Sequence, residues 1–160
     1  MSACGPKNRD FEFVRELYFE TMRWAIERYF GWNRLQQEEN FSTWFKPNEA
    51  RIITVDGTDA GWIQQRQDAG EIFLGSIYVT PAMQGKGIGT SVVQDLLHLA
   101  EHRSQAVTLA VMKINPAVRL YQRLGFRTTR EDEAHCRILR SVLRPGADLH
   151  KAKSALPTQF

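Results

Sequence analysis

Residues 77–90 read Ile-Tyr-Val-Thr-Pro-Ala-Met-Gln-Gly-Lys-Gly-Ile-Gly-Thr, an apolar strand, a short turn and three alternating glycines that open a helix. This spacing suits the gripping of an anion by main-chain amides. The first N–H groups of a helix have no intrahelical partner, and the aligned peptide dipoles place roughly half a positive charge beside them. Glycine lets ligand oxygens approach the backbone closely and tolerates positive φ. Lys86 adds a mobile cation at the same place.

Three nucleotide loops share parts of this pattern. A Walker A loop requires a hydroxyl residue after its lysine, and Lys86 is followed by Gly87. A dinucleotide fingerprint requires Gly-x-Gly-x-x-Gly, but here the third glycine, Gly89, comes one residue early and no clear βαβ unit with a ribose-binding acid follows. A kinase glycine-rich loop joins two strands, whereas the residues from Thr90 onward have helical periodicity. Taken alone, the segment is also compatible with a glycine-rich turn that holds no ligand.

The elements that must position this loop follow a mixed α/β order. Phe11, Val14, Tyr18, Met22, Ala25 and Tyr29 recur at helical spacing and predict a long amphipathic helix over 10–30, ended by Gly31. A shorter helix is expected over 36–45, stopped before Pro47. Strands are expected at 51–55, 61–66 and 71–79, separated by turns at Asp56-Gly57 and Asp68-Ala69-Gly70, as an antiparallel meander. The glycine turn starts a helix over 87–103, followed by an apolar strand over 107–112. Asn115 caps a short helix over 116–124 with proline at its first position, and Gly125 ends it. Strands at 126–130 and 135–142 flank the acidic turn Glu131-Asp132-Glu133, and Pro145-Gly146 closes the domain. The expected organisation is one domain over 1–143 and a polar tail over 144–160.

At 160 residues and 42% hydrophobic content the chain can bury a core of its own. The net charge of +3 is scattered rather than striped, which gives no footprint for nucleic acid. Cys4 and Cys136 form no CxxC pair, and the four histidines show no metal-ligand spacing, so neither a disulfide scaffold nor a metal site is expected. No apolar run approaches the ~20 residues of a membrane span, and the N-terminus lacks a signal-peptide core. A cytoplasmic location is the expectation.

Gln84-Gly85-Lys86-Gly87-Ile88-Gly89 resembles the Gln/Arg-x-x-Gly-x-Gly/Ala signature of the GNAT superfamily of N-acetyltransferases, and the run from Asn115 to Phe126 resembles that family's second conserved block. The order and separation of the two blocks strengthen the resemblance, which extends over most of the chain. There are two departures: no convincing first strand precedes Phe11, and Val118 stands where the family often has an alanine-arginine pair.

The resemblance implies a central mixed, mostly antiparallel sheet of six to seven strands flanked by about four helices, with acetyl-CoA in a V-shaped gap where the strands ending near Val79 and Met112 splay apart. It implies that amides from Gly85 through Lys86, Gly87, Ile88 and Gly89 to Thr90 hold the pyrophosphate, with Gln84 of the signature among the cofactor-binding residues. The strand Ile77-Tyr78-Val79 would pair with the pantetheine arm, and the Ile77 N–H would donate to the thioester carbonyl, where one positioned donor is worth about 3 kcal/mol. Asn115 would touch the cofactor, and Tyr121 would protonate the departing thiolate, although its helical face suits a core role equally.

Proton transfer from the acceptor is the remaining problem. An alkylamine of pKa around 10.4 is only about one part in 2,500 neutral at pH 7, equivalent to roughly 4.6 kcal/mol of barrier. Glu71 is the first candidate base, because strand alternation gives it the same parity as Phe73 and Ile77. His135 is the second, since imidazole titrates near neutral pH. Tyr18 and Met22 could line an acceptor pocket. The leading expectation is acetyl transfer to a small primary amine by direct attack in a ternary complex. Acetylation of a protein N-terminus or lysine and a non-catalytic acyl-CoA sensor are the alternatives. The last strand and the tail could pair across a homodimer.

Overall fold

The computed structural model describes residues 2–4 and 8–140. Its described elements are β1 (Ser2–Cys4), α1 (Asn8–Phe30), α2 (Arg34–Trp44), β2 (Ala50–Val55), β3 (Thr58–Asp68), β4 (Glu71–Val79), α3 (Ile88–His102), β5 (Ala106–Met112), α4 (Ala117–Arg123), β6 (Arg127–Glu131) and β7 (His135–Arg140). Single 3₁₀ turns lie at Pro47–Glu49 and Pro81–Met83. The strands form one seven-stranded sheet in the order β1-β2-β3-β4-β5-β7-β6. β4 and β5 pair in parallel, and every other pair is antiparallel.

Local chemistry accounts for most of these boundaries. Asp56 and Gly57 both have positive φ (50° and 78°), the geometry that lets a two-residue turn follow the twist of the strands it joins. α2 starts at Arg34, earlier than expected, because the Asn33 side chain accepts a hydrogen bond from the Gln36 N–H at 3.1 Å. The parallel step from β4 to β5 needs a crossover, which α3 supplies.

Two apolar layers sandwich the sheet. On one face α1 and α2 bury Val14, Tyr18, Met22, Ile26, Phe41 and Trp44 against Ile52 and Trp62 of the sheet. On the other, Val93, Leu96, Leu97 and Ala100 of α3 and Tyr121 of α4 pack against Ile72, Leu74, Val107, Leu109 and Ile138. Tyr18 is fully enclosed, so it belongs to the core rather than to an acceptor pocket.

Three expectations change. A first strand does precede α1: Ser2–Cys4 pairs with Ile52–Thr54 of β2, a segment too short to show alternation in the sequence. The last described strand, β7, is no free edge, because it lies between β5 and β6; β6 is the edge and is exposed along its whole length. The expected end of β7 at Val142, the Pro145-Gly146 boundary and the tail over 144–160 lie outside the described residues.

The third change sets the geometry of the site. Gln64 pairs with Ser76 and Gln65 with Leu74, leaving Gly75 as a β-bulge in β4. Side-chain parity therefore inverts at Gly75. Ile72 and Leu74 face α3, and beyond the bulge so do Ile77 and Val79, while Tyr78 faces α1 and α2. Pairing of β4 with β5 runs only from Glu71↔Ala106 to Leu74↔Leu109, so the strands part immediately before the bulge. No described helix is long and apolar enough to cross a membrane.

Candidate active site

The glycine loop is built to present its amides. Thr80 closes β4 by donating its N–H to the Ala60 carbonyl at 2.8 Å, and the Gln84 side-chain amide donates to the Val79 carbonyl at 2.9 Å, folding the loop back on the strand end. The Gln84 side chain thus shapes the loop. Gly85 and Gly87 sit at φ +73° and +79°, and the first hydrogen bond of α3 runs from the Ser91 N–H to the Gly87 carbonyl at 2.9 Å. The N–H groups of Gly85, Lys86, Gly87, Ile88, Gly89 and Thr90 are consequently left without a hydrogen-bond acceptor. A methyl group placed on Gly85, Gly87 or Gly89 would meet nothing within 4 Å, so open space lies over these amides. The Lys86 ammonium faces no carboxylate; its contact is the Met83 sulfur at 3.9 Å. Unpaired amides, a helix N-terminus and a free cation together fit a phosphate-bearing ligand.

The parting of β4 and β5 opens a cleft of about 440 Å³ behind the loop. Ile77 and Tyr78 line it from β4, Asn115 and Tyr121 from the start and middle of the α4 segment, and His135 from β7. The Asn115 side-chain oxygen accepts from the Ala117 N–H at 2.9 Å, and Pro116 already has helical φ and ψ, as the cap motif predicts. Tyr121 is 5% exposed and stacks edge-on against Phe126 at 5.6 Å. Burial pushes its phenol above the ordinary tyrosine range, so it holds its proton at neutral pH. Burial raises Tyr78 as well, and the neighbouring Tyr121 phenol acts in the same direction. Val79 and the loop from Gln84 to Thr90 lie beyond the cleft wall, at the end of β4.

Glu71 is not brought to this site. It pairs with Asp68 and Ala106 at the closed end of the β4–β5 ladder and does not line the cleft. Six strand residues place it about 20 Å from Ile77. The bulge at Gly75 also removes the shared parity on which its selection rested.

His135, by contrast, lies in the cleft wall, with its Nδ1 3.5 Å from Asp132 Oδ1. The same carboxylate accepts the N–H groups of Ala134 (2.9 Å) and His135 (2.8 Å), and these backbone bonds hold it below the usual aspartate range. Met22, Tyr29 and Phe30 line the cleft from α1, Phe73 and Ser76 from β4, and Asp132 and Glu133 from the β6–β7 turn. Of these, only Met22 is named as a pocket residue by the sequence. The acidic turn is visible there, but the pairing of Met112 with His135 that swings it over the cleft is not.

A family model described as the acetyltransferase (GNAT) family matches residues 11–126. The chain belongs to the GNAT family. An uncharacterized N-acetyltransferase of Methanocaldococcus jannaschii is 26% identical over 113 residues, covering 68% of this chain and 48% of the relative; the chain thus spans about half the length of that relative. Among solved structures, the PaiA N-acetyltransferase of Thermoplasma acidophilum in complex with coenzyme A superposes with a TM-score of 0.71 at 16% identity, over 88% of this chain and 98% of that one. Naa50 of Arabidopsis thaliana in complex with the bisubstrate analogue CoA-Ac-MVNAL gives 0.61 at 15% identity, over 88% and 97%. The fold is thus shared with one protein solved with coenzyme A and another solved with a bisubstrate analogue.

Proposed function

We propose that this chain transfers an acetyl group from acetyl-CoA to a primary amine of a small molecule, by direct attack within a ternary complex. The observation that carries the reading is the run of unpaired amides from Gly85 to Thr90, which follows directly on β4, the strand whose Ile77 and Tyr78 line the cleft that contains Tyr121. The amides, with Lys86, hold the pyrophosphate. Ile77, Tyr78 and Val79 offer the β4 main chain to the pantetheine arm, and Asn115 contacts the donor from the α4 side. Acetyl-CoA supplies the activated acyl carbon.

The residues then divide the chemistry. The amine nitrogen forms its bond to the acyl carbon, the carbon–sulfur bond breaks, and the Ile77 N–H stabilises the negative charge that develops on oxygen. Tyr121 gives its proton to the departing sulfur. An unperturbed phenol near 10 lies about 1.5 units above a thiol near 8.5, a transfer uphill by roughly 2 kcal/mol. Burial that raises Tyr121 acts on a thiolate in the same cleft too, so the gap does not widen in proportion. His135, oriented by Asp132, receives the amine proton, directly or through water.

One observation favours peptide acceptors as the second reading. A second cavity of about 500 Å³ adjoins the first at Phe30 and is walled by the carboxamides of Asn33, Gln36, Gln37 and Asn40. Gln37 is 5% exposed and its Oε1 has no hydrogen-bond partner, a lining suited to an extended main chain. Thiol release from acetyl-CoA, measured against a panel of small amines and short peptides, separates the readings. Faster release with small amines supports the proposal, and release with peptides alone replaces it by the second reading. Tight CoA binding without release for any acceptor would make the chain a sensor.

A further inference from the structure

The acceptor end of the cleft differs in charge from the chain that builds it. The sequence carries a net +3, yet no lysine or arginine among the described residues lines this cleft. The charged side chains that do are Asp132 and Glu133, with His135 beside them. Asp132 is kept ionised by its two backbone donors. Glu133 lies on the exposed turn that lines the cleft and makes no hydrogen bond and no ion pair. Lys113 pairs with Glu131 at 3.5 Å, outside the cleft wall, and does not offset it.

Between the carboxylates and the reacting end, the walls are apolar and aromatic. Met22 and Phe73 supply a surface for an alkyl chain, and Tyr29 and Phe30 supply ring faces that attract a cation; the Phe73 ring already carries the Arg66 guanidinium at 5.2 Å. In the same wall, Ser76 is 5% exposed and its hydroxyl lies beside the Tyr78 phenol, where it opposes the upward shift that burial gives that group. The hydroxyl adds one polar group to this otherwise apolar wall.

The geometry points to an aliphatic acceptor that carries a second ammonium: one amine reacts near Tyr121 while the other is held at the β6–β7 turn by Glu133 and Asp132. This substrate class rests on the amine-acetyltransferase reading above. The turn acts as a ruler as well as a charge, because the alkyl chain must bridge from the turn to the reacting end. Acceptors with a carboxylate at the far end are disfavoured by like charge.

The test compares a homologous series of α,ω-diaminoalkanes with the n-alkylamines in which a methyl replaces the far ammonium, and with the matching ω-amino carboxylates. Initial rates are read with saturating acetyl-CoA, and calorimetric titration measures binding to the CoA-loaded protein. One diamine length should exceed its alkylamine partner by about tenfold or more in kcat/KM, chiefly through KM, with the amino carboxylate poorest. The advantage should shrink as salt is raised, since the Debye length is only about 10 Å at 0.1 M. Glu133→Gln should collapse the diamine-to-alkylamine ratio toward one, and Glu133→Asp should restore most of it. Equal kcat/KM for diamine and alkylamine, or a ratio untouched by Glu133→Gln, overturns the inference. If no amine is turned over but the diamine binds in a Glu133-dependent way, the catalytic reading fails and the cation site stands. Turnover of all amines without preference has the opposite meaning.

Discussion

In the proposed reaction the two halves of the site recognise their ligands by different means. The donor half is nearly contiguous in sequence, running from Ile77 to Thr90, and it works through main-chain amides that the glycines leave uncovered. The acceptor half is gathered from the end of α1, the wall of β4 and the β6–β7 turn, and it works through side chains. Main-chain recognition depends on φ, helix start and the absence of a Cβ, so it constrains residue type and spacing strongly. Side-chain recognition leaves many residue choices open and depends on which strands meet. The difference explains how one fold can keep its donor while its acceptors vary.

The largest expected effect lies where the halves meet. Tyr121→Phe removes the proposed proton donor and keeps the ring against Phe126, so kcat should fall by about 10³-fold. CoA affinity measured by calorimetry should stay within about twofold of wild type; unchanged turnover would return Tyr121 to a core role. Next comes the donor half alone. Gly87→Val forces a β-branched residue to φ +79°, a strain of about 1–3 kcal/mol that displaces the amides. CoA affinity should drop by about 100-fold on the 1.4 kcal/mol-per-decade scale once lost contacts are added. Gly89→Leu sharpens the point, because Gly89 lies in the first turn of α3 without positive φ and only the space above it is filled. A loss of about tenfold in CoA affinity is expected there, and full retention would contradict an occupied space over the loop. The smallest effect belongs to Glu71→Gln, which should leave kcat and KM within about twofold, as suits a residue away from the cleft. A large fall in kcat would restore Glu71 as the base.

Legibility in the sequence follows the same division. The helices and the β2–β4 meander are readable because apolar periodicity and the Asp56-Gly57 turn are local signals. The glycine loop and the Asn115 cap are readable because their hydrogen bonds close within a few residues. The Gly75 bulge is not, since an unpaired residue in β4 exists only relative to β3, and missing it gave Glu71 a parity with Ile77 that the strand does not keep. Nor is the insertion of β7 between β5 and β6, which carries Asp132, Glu133 and His135 onto the cleft through pairs such as His135 with Met112. Long-range pairing leaves no spacing rule in a single sequence.

The central claim is that both halves are filled at once and the amine attacks the donor directly. Initial rates measured while acetyl-CoA and an amine acceptor are varied together test it most directly. The account predicts converging double-reciprocal lines, one acetylated amine per thiol released, and no acetyl group on the protein. Parallel lines with acetylated protein recovered in the absence of amine would contradict it and would turn attention to Cys136, a free thiol on β7 opposite Val111.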